Sequence, residues 1–219
     1  MNDQVAVTTR ARPARRTQAE RSARTRKNIL VATINCVYEN GSGNTTLQRV
    51  ARDAGVTVGA VQHYFLSKTE LFLAVIDYGF GDLSQRMDRV VEKNSSLKER
   101  IDGFVEQMWE HCISPTYQAN IQILRSLQIE KGDAGDNWLL TPLTQFTLRA
   151  REIWMETFGE TPLSEQEHQE LLHYVFASIS GSAQLFQISS QQSRIESDLD
   201  LLKTLLRMKL EFGAAAATH

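Results

Sequence analysis

The sequence has little of what secreted, membrane-spanning or disulfide-stabilised proteins need. Two cysteines, Cys36 and Cys112, in 219 residues are too few for a disulfide framework. The start of the chain has no apolar stretch of the signal-peptide kind. The longest uncharged run, Leu171–Ser193, holds one His, four Gln and six Ser, which argues against a membrane span. We therefore expect a cytoplasmic protein.

Proline and glycine are also scarce, at 4 and 12 residues, whereas an all-β chain of this length would need many turns. Helix-start signals are frequent instead: Ser/Thr-x-x-Glu capping boxes, and Ser or Thr followed by Pro. They lie at Thr17/Glu20, Ser67/Glu70, Ser96/Glu99, Ser164/Glu167, Ser193/Glu196, Ser114-Pro115 and Thr141-Pro142. The sequence predicts an all-α protein whose first helix spans about 18–40.

Signals for an enzyme are weak. The chain has no GxxxxGK[ST] loop, no GxGxxG fingerprint and no GxSxG elbow. Glu165-x-x-His168 and Glu170-x-x-His173 echo the carboxylate–histidine pairs of di-iron bundles. Here both pairs fall on one predicted helix, with the two histidines about 140° apart around its axis, so they cannot share a metal. We expect no enzymatic activity, no metal and no cofactor.

Charge is unevenly distributed along the chain. Up to Lys68 there are 11 Lys and Arg against 4 Asp and Glu, a net +7, and the remainder carries 13 against 22, a net −9. A basic head on an acidic body suggests a polyanion-binding segment joined to a different kind of domain. Residues 1–16 hold four arginines and no apolar period. They are expected to be a disordered basic arm, either a solvated tail or an arm that reaches the minor groove of DNA.

A segment at about 46–65 carries the pattern of two short helices joined by a tight turn. Thr46 can cap the first helix and Thr57 the second. Gly55 sits where a tight turn needs a positive φ, and Val56 can fill the angle between the helices. This is the helix-turn-helix arrangement of DNA-binding proteins.

The same segment resembles the DNA-binding signature of the TetR (tetracycline-repressor-like) transcription regulators. The matching pattern is A-x-x-A-G-V-T-x-G-x-V-x-x-Y-F-x-S-K-x-E-L, from Ala51 to Leu71, within a resemblance over about 20–83. The resemblance implies a dimeric, all-α, nine-helix repressor whose affinity for DNA falls when its ligand binds. We divide the chain accordingly, in order, into a basic arm, a DNA-binding domain, and a ligand-binding and dimerisation domain: 1–16, 17–83 and 84–219.

Ten residues are candidates for contact with DNA, and for each the alternative is a surface or packing role. Val58 and Ala60 can offer only apolar contact to base edges, whereas His63 can hydrogen-bond to them. Gln62 stands where the family usually has Tyr, so it either holds phosphate or reads adenine. Gln48 can reach the groove edge. The residues assigned to phosphate are Thr46, Arg49, Thr57, Tyr64 and Lys68.

An effector pocket between helices should be mostly apolar with a few polar groups. One predicted helix repeats such residues on a single face, where His111 is polar on an otherwise apolar stripe. Later predicted helices supply aromatic residues that could face it. The candidates are Phe104, Met108, His111, Trp138, Phe146 and Tyr174. For each of them, plain core packing is the alternative.

The last predicted helix is apolar on two faces, which indicates burial on two sides. One stripe is Ile195, Leu199, Leu202, Leu206 and Leu210, and the other is Leu201, Leu205, Met208 and Phe212. One side can pack on its own domain, which leaves the other for a partner chain. We expect a homodimer through the last two helices, 164–190 and 193–213, and the pattern does not decide which stripe faces the partner.

The function that these features favour is a ligand-responsive transcription repressor. It would bind a palindromic operator as a dimer and be released by a small-molecule effector. One alternative is an activator or dual regulator on the same scaffold. Another is an architectural DNA-binding protein without a ligand, which the acidic, aromatic-bearing second half of the chain argues against.

Overall fold

The computed structural model describes residues 17–87, 96–131, 140–189 and 192–213. Side chains are described for all of these except 128–131, 140–147, 189, 192 and 193. The described residues form nine α-helices and no strand, as the sequence predicted. The helices are α1 (Gln18–Asn40), α2 (Leu47–Asp53), α3 (Val58–Tyr64), α4 (Lys68–Met87), α5 (Leu97–Ile113), α6 (Pro115–Lys131), α7 (Leu140–Phe158), α8 (Glu165–Ser189) and α9 (Gln192–Phe212).

Reciprocal capping boxes begin three helices where the sequence predicted them. At the first, the backbone N–H of Glu20 donates to Thr17 Oγ1 at 3.2 Å, and that of Thr17 donates to the Glu20 carboxylate at 2.9 Å. The other two are Ser96/Glu99 and Ser164/Glu167. Ser114 caps α6 ahead of its first residue by accepting from the backbone N–H of Tyr117. These interactions satisfy backbone N–H groups that a helix leaves free.

Three predicted helix starts differ in the structure. The box at Ser67 is only half formed, because the Glu70 carboxylate accepts from the backbone N–H of Leu66 instead. Thr141 and Ser193 lie inside α7 and α9, which begin one residue earlier, so the predictions that they are N-caps were wrong. Such boundary shifts are small, since local signals fix a helix end only to within a residue or two.

The first three helices and the first half of α4 pack around one apolar cluster. Val50, Val61, Phe65 and Phe72 are among its buried members, and so is Ile29 of α1. α6 contributes to the same cluster and makes its most extensive helix contact with α1. The helix-turn-helix therefore rests on a base that includes a helix from the second half of the chain.

A second apolar cluster joins the end of α4 to α5, α7, α8 and α9. Trp154 and Phe158 are buried at its centre, and the ring of Phe104 meets both edge-on at 5.3 and 5.5 Å. The domain boundary expected after residue 83 falls within α4. That helix gives Phe72 to the first cluster and Met87 to the second, so one continuous helix links the two.

The two apolar stripes of α9 have different environments. Leu202, Leu206 and Leu210 are buried in the second cluster, so their stripe faces the protein's own core. Leu201 and Leu205 lie on the other stripe, which is exposed. Within the residues that the structure describes, none of the helices is both long enough and apolar enough to pass through a lipid bilayer.

Candidate nucleic-acid interface and internal cavity

Two side-chain caps and one glycine fix the angle between α2 and α3. Thr46 Oγ1 accepts from the backbone N–H of Arg49 at 3.3 Å, and Thr57 Oγ1 accepts from that of Ala60 at 3.1 Å. Gly55 has φ +67°, a left-handed conformation that costs a residue with a Cβ more than it costs glycine. The predicted helix-turn-helix is therefore present, with α3 held at a fixed angle to α2.

The outward faces of α2 and α3 carry most of the predicted base-reading side chains. Gln48, Gln62 and His63 are exposed, and none of the three makes a side-chain hydrogen bond to another described residue. Val58 and Ala60 are half-buried, and Val58 packs against the first cluster. The side chains of Gln62 and His63 are thus accessible to DNA, whereas Val58 also has a packing role.

The residues assigned to phosphate are held in place by other parts of the protein. The Tyr64 hydroxyl is 3.0 Å from the Ser22 hydroxyl of α1. Lys68 Nζ donates to the backbone carbonyl of Ser42 at 2.9 Å and lies over the Phe72 ring. An ammonium carries three donors, so this bond leaves Lys68 capacity for a phosphate.

Arg49 and the two threonine caps complete this set. The guanidinium of Arg49 donates to the backbone carbonyl of Asn44 at 3.4 Å. Thr46 and Thr57 use their hydroxyls as helix caps, and their helices leave further backbone N–H groups free at the same ends. A phosphate at either end would meet those N–H groups as well as a side chain.

A basic surface on α1 was missed by the sequence reasoning, which singled out the arginines of residues 1–16. Those residues lie outside the described part of the chain. Arg21, Arg24, Arg26 and Lys27 are exposed on the first half of α1, and Arg26 lies over the ring of Phe65 at 5.3 Å. The signal was available, because the capping box at the start of α1 places these four residues on a helix.

An internal cavity of about 1020 Å³ lies between α4, α5, α6, α7 and α8. Its lining is mostly apolar, and its volume is at the upper end of the usual range for small-molecule sites. The buried part of the lining comprises Leu83, Met87, Phe104, Met108, His111, Tyr117, Asn120 and Ile153. The cavity therefore reaches the second cluster and can bury most of a largely apolar molecule.

Two polar side chains in this buried lining lack hydrogen-bond partners among the described residues. They are His111, at Nδ1, and Asn120, at both Nδ2 and Oδ1. Burial lowers the pKa of His111 to about 4, an effect that Asp82 opposes and Arg86 reinforces. His111 is thus uncharged at neutral pH. Buried polar groups in native proteins are nearly always paired with protein or water, so these two side chains are candidates for hydrogen bonds to a molecule in the cavity.

Among the residues that the structure describes, the charged ones in the lining lie at the rim of the cavity. Asp77 is exposed, and Arg149 and Arg151 are more than a third exposed. Arg149 donates to Ser84 at 3.0 Å and pairs with a glutamate of its own helix, and Arg151 pairs with Glu165. The charge available to a ligand is therefore at the entrance rather than at the buried end.

A family model described as bacterial regulatory proteins, tetR family, matches residues 29–75. That range contains α2, α3, their caps and the signature from Ala51 to Leu71. The chain is a transcriptional regulator of the TetR family.

Similar proteins extend over most of this TetR-family chain. The HTH-type transcriptional regulator CymR of Pseudomonas putida is 22% identical over 171 residues, which cover 78% of this chain and 83% of CymR. A TetR transcriptional regulator from Legionella pneumophila superposes with a TM-score of 0.68 at 14% identity, covering 83% of this chain and 96% of that one. The regulator FadR of Bacillus subtilis, in complex with stearoyl-CoA, has a TM-score of 0.59 at 16% identity over 80% of this chain and 96% of FadR. These structures share the fold.

The structure brings three of the six predicted effector residues of this TetR-family regulator together. Phe104, Met108 and His111 all line the cavity. Tyr174 does not: it is half-exposed on the outer face of α8, because helical spacing turns it away from the buried Val175. Trp138 lies outside the described residues, and the side chain of Phe146 is also outside them. Asn120 was missed, since nothing in its local pattern separates it from a surface amide.

The two histidines of α8 occupy different environments. His168 is buried, and its Nδ1 accepts from the indole N–H of Trp154 at 3.1 Å. Burial lowers the pKa of His168. His173 is exposed and lies at the rim of the cavity. The indole bond to Nδ1 gives His168 a structural role.

Proposed function

We propose that this TetR-family regulator is a homodimeric repressor that holds a palindromic operator and releases it when a small apolar molecule fills the cavity. The observation that carries the proposal is the position of α6. This helix lines the cavity with one face and packs into the DNA-binding domain with the other. It therefore gives a bound molecule a mechanical connection to α1.

The two faces of α6 support this coupling. Ala119, Ile123 and Leu127 are buried in the first cluster with α1, whereas Tyr117 and Asn120 line the cavity. Because packed interiors have little free space, a ligand that displaces α6 must also displace what rests on it. Allosteric couplings of this kind typically amount to about 1–3 kcal/mol, or about 5- to 150-fold in affinity.

On DNA, we propose that α3 enters the major groove. Gln62 and His63 would read base edges. Thr57, Tyr64 and Lys68 would hold the phosphate backbone beside them, together with the basic residues of α1. In a dimer, two copies of α3 would occupy successive major grooves about 34–36 Å apart. Their two-fold relation requires a palindromic site.

The proposed dimer interface is an exposed apolar surface shared by α8 and α9. Seven of the eleven large apolar side chains found exposed in the described residues lie on these two helices: Tyr174, Leu185, Ile188, Leu201, Leu205, Met208 and Phe212. The exposed apolar residues of α8 adjoin those of α9, because Tyr174 of α8 and Leu205 of α9 line one shallow groove. A contiguous apolar surface of this kind marks an interaction site.

The small residues of α8 fit such an interface. Ala177 and Gly181 are exposed beside Leu185, where they permit close approach of a second helix. The uncharged run from Leu171 to Ser193 covers this face, so pairing it with a second copy would bury no unpaired charge. A four-helix bundle across a two-fold axis would cover the exposed apolar residues of both helices.

A cavity of this size and apolar character supports a ligand-responsive regulator over a purely architectural DNA-binding protein. Structural relatives solved with a bound small molecule include FadR in complex with stearoyl-CoA and SmeT in complex with triclosan. We propose no enzymatic activity for this chain, and we place it in the cytoplasm with the DNA that it regulates.

A reporter assay tests the proposal of repression. DNA retained by the purified protein is placed across a promoter that drives a fluorescent protein, and the regulator is co-expressed. We expect fluorescence to fall with the wild type and to stay high with Gln62→Ala/His63→Ala, which removes two exposed side chains of α3. A rise in fluorescence with the wild type would show an activator on the same scaffold.

A further inference from the structure

The buried and exposed parts of the cavity lining differ in charge, and this difference restricts which molecules can bind. Every buried lining residue in the described part of the chain is apolar or uncharged, and His111 is neutral at pH 7 because burial lowers its pKa to about 4. The acidic and basic lining residues that the structure describes, other than histidine, are Asp77, Arg149 and Arg151, all at the rim. A charged group at the buried end would therefore lose its water without meeting an opposite charge, which is strongly unfavourable.

An apolar molecule without any polar group would also leave buried polar atoms at this end without hydrogen-bond partners. His111 Nδ1 and the whole carboxamide of Asn120 are buried without partners in the described part of the chain. Asn120 offers two N–H donors and one carbonyl acceptor. The neighbouring Tyr117 hydroxyl is already engaged, 2.8 Å from Ser180 Oγ. The polar side chains of this buried lining that have atoms without any partner are thus His111 and Asn120.

We propose that the effector is a predominantly apolar molecule whose buried end carries an uncharged polar group, such as a hydroxyl or primary amide, that hydrogen-bonds to His111 and Asn120. The inference rests on the proposed function, because it takes the cavity to be the effector site. A charged group on the same molecule is compatible only with the rim, near Arg149 and Arg151. Cations and anions without an uncharged polar end belong to other classes of ligand.

Probes that differ only in their polar end test this assignment. Binding to the full-length protein is measured by calorimetry for 1-decanol, decanoate and decylammonium, and for biphenyl-4-methanol and biphenyl-4-carboxylate. We expect the alcohol of each series to bind at least about tenfold more tightly than its charged counterparts. Equal or tighter binding of the charged probes, or no binding of either alcohol, would overturn the proposal.

Variants of His111 and Asn120 distinguish a specific hydrogen bond to the alcohol group from simple burial of the apolar part of the probe. Asn120→Leu and His111→Leu should each weaken the alcohols by about three- to tenfold, the effect of losing one hydrogen bond. Decanoate can bind with its methyl end at the buried end of the cavity and its carboxylate at the rim. Its affinity for both variants should therefore equal or exceed its affinity for the wild type. Gln169→Leu is the matched control, because Gln169 is an exposed amide on the rim. Equal losses in all three variants, or no loss in the first two, would contradict the assignment.

The same samples distinguish this inference from the proposed function. Wild type and Asn120→Leu are tested for binding to the selected DNA before any probe is added. If both bind DNA while the probes fail as stated above, the ligand class is wrong and the regulator remains. If neither binds DNA, the proposed repressor is wrong whatever the probes show.

Discussion

The side chain of Asn120 packs directly against the backbone of Gly79, where α6 crosses α4. A methyl group at residue 79 would overlap Asn120 Nδ2 and press on Thr116 Cγ2 at 3.0 Å. Asn120 also lines the cavity, and α4 leads from this crossing to the helix-turn-helix. A cavity residue is thus in contact with the helix that joins the two clusters.

Gly79→Ala should lower the thermal stability of the protein. Overpacking a tight site typically costs about 1–3 kcal/mol. Gly81→Ala is the matched control on the same helix, because a Cβ there meets nothing within 4 Å. Alanine is the better helix former, so Gly81→Ala should leave the melting temperature unchanged or raise it. Equal melting temperatures at one protein concentration would show that the crossing is not tightly packed.

Leu202→Glu and Leu205→Glu should have opposite consequences although they lie three residues apart. Leu202 is 5% exposed and packs in the second cluster, so a buried carboxylate there should unfold the domain. Leu205 is 42% exposed on the proposed interface. Its replacement should give a folded, helical monomer that binds the operator poorly.

Sedimentation velocity and circular dichroism measure these two outcomes. We expect loss of helix signal for Leu202→Glu, and a halved mass with retained helix signal for Leu205→Glu. If Leu205→Glu remained an intact dimer, α8 and α9 would not form the interface.

These two leucines also show what could be predicted from the sequence. The double striping of α9 was visible as apolar spacing, but which stripe faces the core depends on packing against α5 and α8, which local periodicity does not record. The helix-turn-helix was predictable because its caps and turn glycine act over three or four residues. Asn120 could not be predicted as a cavity residue, because its position depends on the crossing of α6 with α4.

Lys68→Ala should weaken operator binding by a similar factor for every DNA sequence. A lysine that neutralises one phosphate contributes about 0.9 to the slope of log affinity against log salt. The substitution also removes the bond to the Ser42 carbonyl. Lys68→Gln is the companion variant, since it keeps a donor and removes only the charge. Titrations at several salt concentrations should show a lower slope for both variants, and a loss confined to one base pair would contradict the phosphate assignment.

Stability should fall with acidification between about pH 6.5 and 4.5. Burial lowers the pKa of both His111 and His168 from the ordinary value of 6.5, to about 4 for His111. The unfolded chain therefore takes up protons first, so the stabilisation is complete above pH 6.5 and is lost as the pH falls. The slope for one such group is at most about 1.4 kcal/mol per pH unit.

The choice of pH window separates the histidines from the carboxylates. The pKa of Glu99 is lowered from 4.5 chiefly by the hydrogen bond from the Ser96 backbone, and that of Glu167 chiefly by the hydrogen bond from Lys209. Their contributions to stability are therefore lost only below pH 4.5. His111→Phe should flatten the decline in melting temperature between pH 6.5 and 4.5. An unchanged profile would show that His111 does not stay neutral in the folded protein.

Selection of bound sequences from random duplex DNA tests the central claim most directly, which is sequence-specific binding by a dimer through α3. We expect an enriched motif of two inverted half-sites whose centres lie about one helical turn apart. Gln62→Ala or His63→Ala should change the preferred base at symmetry-related positions, by about 1–3 kcal/mol for each base-specific hydrogen-bonded pair that the substitution removes. Enrichment of an asymmetric motif, or of none, would contradict this claim.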